Sequence, residues 1–269
     1  MNVIQFGVGK WGANHARILG QRAGHTIKRV TFASEFDWED KVRNMAATYD
    51  AAVITSPSET HYTLLKHCFR AGVPVYCEKP FALTEQQIKS LANIKAIDQI
   101  FMVGHQMTFL DMPKWDKITG IIALRAGAIP RTEGACRSLM VHDLSIAQYL
   151  SGADEFIPTW AEGDRHAACC SFEARRKGKV VIASVTCYAQ SLAHTRLRHF
   201  TVIGDGTEIG STVQTYTPDN WNREDVLARA LDEFIAATAA DRQPERNGWD
   251  AAAAVTLATI RAEERLCNK

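Results

Sequence analysis

The chain has 269 residues, 46% of them hydrophobic and 23% charged, with a formal net charge of +1. That is an ordinary globular composition, long enough for two modest cores, and no basic run marks a nucleic-acid-binding surface. No apolar stretch approaches the roughly 18–20 residues needed to cross a bilayer, so no membrane partner is expected.

The first half alternates short apolar strands with amphipathic helices. Val3–Phe6 is expected as a strand and Ala13 to about Arg22 as a helix. Ile27–Phe32 and the wholly apolar Ala51–Ile54 follow as strands. Ser58–Arg70 has apolar residues at 62, 64, 65, 68 and 69, the spacing of one helical face, and stops at Gly72. Val73–Cys77 is the next strand. Thr84 and Gln87 have capping-box spacing for a helix to about Ile97, and Ile100–Val103 closes the series. Continuous apolar strands separated by helices imply a parallel sheet covered on both faces.

The pattern changes near Met112-Pro113-Lys114-Trp115. Strand-like runs follow at 119–127, 166–175, 179–189, 196–204 and 207–215, interrupted by one short helix over 143–151 closed by Gly152. Two helices end the chain, over 223–240 and 249–267, with Pro244 and Gly248 between them. The expected organisation is an α/β Rossmann domain over 1–112, then an α+β domain over 113–269 with an open, mostly antiparallel sheet. Seven cysteines without Cys-x-x-Cys spacing suit reduced thiols better than a disulfide frame or zinc site. With no leader pattern at the start, a cytoplasmic location is expected.

Gly7-Val8-Gly9-Lys10-Trp11-Gly12 is Gly-x-Gly-x-x-Gly placed directly between a strand and a helix, the context that gives this weak pattern meaning. Gly7 permits the tight turn, Gly9 lets a pyrophosphate approach the backbone, and Gly12 allows close helix–strand packing. The helix N-terminus adds N–H groups and partial positive charge. NAD or NADP is the implied cofactor. The acidic residue usually found about 20 positions on is missing. Ser34 with Lys28 or Arg29 could accept a 2′-phosphate, a lean towards NADP, and Glu35 could substitute for the acid.

The stretches 7–17 (GVGKWGANHAR) and 55–62 (TSPSETHY), then Glu78-Lys79-Pro80, Val103-Gly104-His105 and Val141-His142-Asp143-Leu144, occur in an order that resembles the Gfo/Idh/MocA oxidoreductases. The resemblance extends over nearly the whole chain. The Trp11-Gly12-x-Asn14 variant and His142-Asp143 look most like members acting on sugar nucleotides, sugars or cyclitols. It implies that Lys79 lies beside the nicotinamide as proton acceptor or donor, with His142 relaying a proton or orienting the hydroxyl. It places cofactor contacts at Gly7, Val8, Gly9, Lys10, Trp11, Gly12, Ser34, the Thr55-Ser56-Pro57 turn, His61, Glu78 and Lys79. His105, Arg137 and Asp143 are weaker substrate candidates, Asp143 doubling as a helix cap, and Arg131 flanks the same region. The chemistry of Lys79 agrees: hydride transfer from an alcohol needs a base, and a lysine desolvated beside a cationic ring is disfavoured as the charged form.

The chain also departs from that pattern. Gly12 and Thr55 are too close in sequence for the usual helix–strand complement, and Asp37–Met45 looks like the short helix before the Thr-Ser-Pro strand. Ser138 stands where many relatives carry an aspartate. No metal-ligand spacing or Gly-x-Ser-x-Gly elbow is present. The alternatives are a non-catalytic cofactor- or ligand-binding regulator of the same fold, or an imine reductase. The open sheet face implies a homodimer or homotetramer.

Overall fold

The structure, a computed structural model, describes residues 1–22, 26–30, 44, 47–112, 115–127, 134–191, 197–206, 213–216 and 223–267. Ser34, Glu35, Arg131 and most of the helix expected over Asp37–Met45 lie outside the described residues. The chain divides into two compact units. One is Met1–His105 with Arg223–Trp249, the other Gln106–Asn222 with Asp250–Lys269. A division at 112/113 assigns residues 223–249 to the second half; the compact units assign them to the first.

The first unit is a Rossmann fold. Its parallel strands are β1 (Asn2–Phe6), β2 (Thr26–Val30), β3 (Ala51–Ile54), β4 (Val75–Cys77) and β5 (Phe101–Val103), in the order β2-β1-β3-β4-β5. The whole of β3, β4 and β5 is buried, as their unbroken apolar sequences require. Helices α1 (Lys10–Gly20), α2 (Ser58–Arg70) and α3 (Glu85–Ile94) bury their apolar stripes. Thr84 caps α3, its hydroxyl accepting from the Gln87 N–H, while the Gln87 amide oxygen accepts from the Leu83 N–H. Later in the chain, α5 (Arg223–Ala239) returns to this unit, where Phe234 meets Tyr76 edge-on at 5.8 Å. Arg22 reaches Asp232 of α5 through two hydrogen bonds of 2.7 Å. The strand order reverses between β1 and β3, and at such a switch point ligands bind at the carboxyl ends of the strands.

The second unit is a mixed, mostly antiparallel sheet with helices on one face. Its strands are β6 (Trp115–Ala126), β7 (Glu155–Gly163), β8 (Ala167–Arg176), β9 (Lys179–Gln190), β10 (Leu197–Gly206) and β11 (Val213–Tyr216), ordered β11-β10-β6-β9-β8-β7. Among the described residues, only the β6–β9 pair of this sheet is parallel. Phe156, Phe172, Val185 and Phe200 pack with Leu144 of α4 (Val141–Ser151) and Val255 and Ala258 of α6 (Trp249–Cys267). The alternate residues of β8 are half-exposed. Strand β7 was not expected, because Pro158 interrupts it. As the edge strand it has a free side where a proline costs no ladder hydrogen bond. Among the described residues, no helix is long and apolar enough to cross a membrane.

Candidate functional site

The glycine loop joins β1 to α1. Gly7 has φ +108°, a left-handed conformation that favours glycine, and a Cβ there would lie 2.6 Å from the Ser56 nitrogen and the Thr55 carbonyl carbon. A Cβ on Gly12 would lie 2.6 Å from the Gly7 oxygen. Both glycines are demanded by the fold. Gly9 is not: its φ is an ordinary −65°, and nothing lies within 4 Å of the Cβ position. The open space at Gly9 is at the N-terminus of α1, which has no side-chain cap. First-turn N–H groups there lack intrahelical acceptors, so the loop fits an anion brought close to the backbone. Val8, Gly9, Lys10 and Trp11 are exposed around it.

A buried amide braces the loop from below. Gln5 Nε2 donates to the Gly7 and Gly12 carbonyls at 3.0 and 2.7 Å and lies 3.1 Å from Thr55 Oγ1. The Thr55 hydroxyl donates to the carbonyls of Phe6 and Gly7. Thr55 thus fastens the β3 turn to the glycine loop. Ser56 Oγ lies 2.7 Å from Thr60 Oγ1, and Pro57 is exposed at the turn.

The Glu78-Lys79-Pro80 segment leaves the carboxyl end of β4, with a cis Lys79–Pro80 peptide. The Glu78 N–H donates to the Ile54 carbonyl at 2.9 Å, continuing the pairing with β3. Lys79 is half-buried at this edge and Glu78 is buried. Burial favours protonation of Glu78, but its bond from His15, the charges of His15 and Lys79, and a bond from Trp11 outweigh that and hold its pKa below the usual carboxylate range.

His61 does not present a ring nitrogen to a ligand. Nδ1 lies 2.8 Å from the Pro80 carbonyl and Nε2 2.8 Å from the Ser56 carbonyl, inside a site where the residue is 1% exposed. It joins the two turns instead of touching what they would hold. His105, after β5, is equally buried, and burial pulls its pKa down to about 3, so its ring is uncharged at neutral pH. Lys28 and Arg29 are exposed on β2.

In the second unit, His142 is the second residue of α4 and half-buried, its carbonyl accepting from Ser145 Oγ at 2.7 Å. Asp143 is not a cap. Met140 occupies that position without a side-chain bond, and the Asp143 carboxylate is buried against Arg125 of β6, with Nε 3.0 Å from Oδ1 and 3.1 Å from Oδ2. Arg137 pairs with Glu263 of α6 at 2.6 Å, which commits it to the protein. The Ser138 hydroxyl donates to the Gly134 carbonyl. Among the described residues, no group of three or more His, Cys, Asp or Glu side chains could hold a metal ion.

Sequence reasoning missed Gln5 and His15. The signals were present: an amide inside a buried apolar strand, two residues before the loop, and a histidine one helical turn after Gly12.

Residues 1–105 match the family model described as oxidoreductase family, NAD-binding Rossmann fold. Inositol 2-dehydrogenase 2 of Paenarthrobacter aurescens is 32% identical over 156 residues, covering 52% of this chain and 45% of that protein. The UDP-N-acetylglucosamine 3-dehydrogenase of Acidithiobacillus ferrooxidans is 28% identical, covering 55% and 53%. The chain thus matches about half the length of these relatives. The fold matches further: scyllo-inositol dehydrogenase from Lactobacillus casei, solved with bound NAD(H) and scyllo-inositol, superposes with a TM-score of 0.75 at 16% identity, over 98% of this chain and 97% of that one. Residues 1–105 of this chain are thus similar to the NAD-binding Rossmann fold of the Gfo/Idh/MocA oxidoreductases.

Proposed function

We propose that the chain is an NAD(H)-dependent dehydrogenase acting on a secondary alcohol or ketone of a cyclitol, sugar or sugar nucleotide. The observation that carries the cofactor site is Gly9, which neither backbone strain nor protein packing requires and which opens onto the end of α1. Thr55, Ser56 and Pro57 would form the opposite wall at the strand-order reversal. When bound, the nicotinamide supplies the hydride acceptor or donor. Lys79, half-buried at the end of β4, takes the hydroxyl proton in oxidation and returns it in reduction. His142 keeps the role of relay or orienting group. Its carboxylate neighbour Asp143 is withdrawn from that chemistry by Arg125. The relatives' names support polyhydroxylated substrates, and the family description supports NAD over its phosphorylated form.

The first test is titration with NADH and NADPH by nicotinamide fluorescence, then turnover of myo-inositol, scyllo-inositol and UDP-N-acetylglucosamine. NADH should bind more tightly. Lys79→Met should bind NADH normally and lose at least roughly 10²-fold in kcat, the scale of general acid–base catalysis. Turnover as fast as the unmodified protein would remove Lys79 from the mechanism; binding of neither cofactor would turn the reading to a non-catalytic binder. His142→Gln is measured separately for a kcat loss. The open face of the second sheet leads us to propose a homodimer or homotetramer, which a monomer by light scattering would contradict.

A further inference from the structure

Lys79 has a buried histidine anchored on each side of it, and the two come from the two helices that open after the glycine loop and the β3 turn. His15, on α1, is 0% exposed, with Nε2 3.0 Å from Glu78 Oε1 and Nδ1 3.1 Å from the Trp11 carbonyl. His61, on α2, spans the Pro80 and Ser56 carbonyls at 2.8 Å each. The residue before Lys79 is therefore tied to the glycine loop, and the residue after it to the β3 turn.

We propose that His15 and His61 are positioning residues for Lys79, fixing its backbone against both cofactor-binding turns so that its amine stands at the reacting carbinol. This rests on the dehydrogenase reading.

The contacts are built to hold a position. All four groups facing these two rings are acceptors, so any contact made is donated by a ring N–H; burial pulls the His61 pKa down, so its neutral ring donates to one of its two carbonyls at a time and lies against the other. Glu78 is confined further. Trp11 donates to it, and a Cβ on Gly104 would lie 2.7 Å from its Oε1, so the carboxylate packs directly on the backbone after β5. The His15 ring is held edge-on by Trp11 at 5.6 Å and Tyr76 at 5.7 Å. Bulk alone explains a buried ring; it does not explain two rings whose hydrogen bonds converge on the residues flanking one lysine. A 1 Å error at a reacting group costs roughly 10²-fold, so loosening either anchor should appear in kcat.

The experiment uses the full chain. His15→Phe and His61→Phe keep much of the ring volume but donate no hydrogen bond. Each should lower kcat for cyclitol oxidation by roughly 10- to 100-fold while the NADH dissociation constant stays within about threefold. His15→Gln, which still offers an N–H to Glu78, should recover part of the loss. Lys79 is also read directly, by competitive acetylation with acetic anhydride across pH and peptide mass mapping, with NADH bound. Among the charged and titratable groups that act on it are Glu78, His61 and His105. Both Phe variants should change its rate of acetylation and the midpoint of its pH profile. If His15→Phe does not fold, Glu78→Gln removes the carboxylate without changing its volume and should produce the same shift.

Wild-type kcat and wild-type Lys79 acetylation in folded variants would overturn the proposal. So would a kcat loss matched by equal loss of NADH affinity, the mark of a merely structural role. If the unmodified chain turns over no alcohol, the dehydrogenase reading fails, and the acetylation profile still decides whether the histidines anchor Lys79.

Discussion

In the first unit β3, β4 and β5 are buried along their whole length, and one set of buried polar side chains gathers at one edge. Gln5, Thr55, Glu78 and His105 sit at, or just beyond, the carboxyl ends of β1, β3, β4 and β5, and His61 reaches the same turns from α2. In the second unit the sheet has one covered face and one open one, and its charges are spent internally, buried Arg125 on Asp143 and half-buried Arg137 on Glu263. The open face carries hydroxyls, with Ser171 Oγ 2.9 Å from Thr186 Oγ1, beside exposed Ile122. A doubly covered sheet must place its polar chemistry at a strand end, because both of its faces are filled. A half-covered sheet has a whole face to offer and uses its buried polar groups to hold its helices down.

The largest effect that tests this contrast lies in the second unit. Arg125 and Asp143 are 5% and 1% exposed. Arg125→Met strands a buried carboxylate and should cost about 3–5 kcal/mol in urea unfolding. The double variant Arg125→Met, Asp143→Leu should recover most of that, because the penalty is an unpaired charge and not a lost volume. If the single variant is as stable as the parent, the pair is not what holds α4 to the sheet.

The same contrast explains what could be read from the sequence. In the first unit β3, β4 and β5 are continuous apolar runs and the site motifs are contiguous, so the glycine loop and the Glu78-Lys79-Pro80 segment are visible without a structure. His61 stands out in the sequence as a candidate site residue, but its carbonyl neighbours, Ser56 and Pro80, come from two different turns and cannot be read from it. Arg137 and Asp143 resembled ligand-binding residues because their partners are remote in sequence: Glu263 is on the last helix and Arg125 on β6. Pro158 hid an edge strand for the same reason, since edge position is a property of the assembled sheet.

A smaller effect probes the polar edge of the first unit through pH. His105 has a pKa of about 3 in the folded chain against an ordinary value of 6.5. Between those values the unfolded chain binds a proton that the folded chain refuses, so stability is full above pH 6.5 and falls as the pH drops towards 3. From pH 6.5 to 5 this amounts to roughly 2 kcal/mol. Glu78, held below the usual carboxylate range, loses stability in the same direction at lower pH. His105→Gln should therefore melt with a shallower dependence on pH between 7 and 5, whatever its stability at pH 7. An unchanged slope would mean that His105 titrates normally.

The smallest effect on stability carries the most information about the site. Gly7→Ala must accept φ +108° and a Cβ 2.6 Å from backbone atoms of the β3 turn, so it should lose more than about 1 kcal/mol. Gly9→Ala meets nothing within 4 Å and keeps an ordinary φ, so its unfolding should fall within about 0.5 kcal/mol of the parent. If the space at Gly9 is reserved for a pyrophosphate, that stable variant should nevertheless bind NADH at least about tenfold more weakly, a difference of 1.4 kcal/mol that appears only with ligand present. Gly9→Ala with unchanged NADH affinity would mean that the third residue of the loop is open without being used, and the cofactor would have to approach the sheet edge by another route.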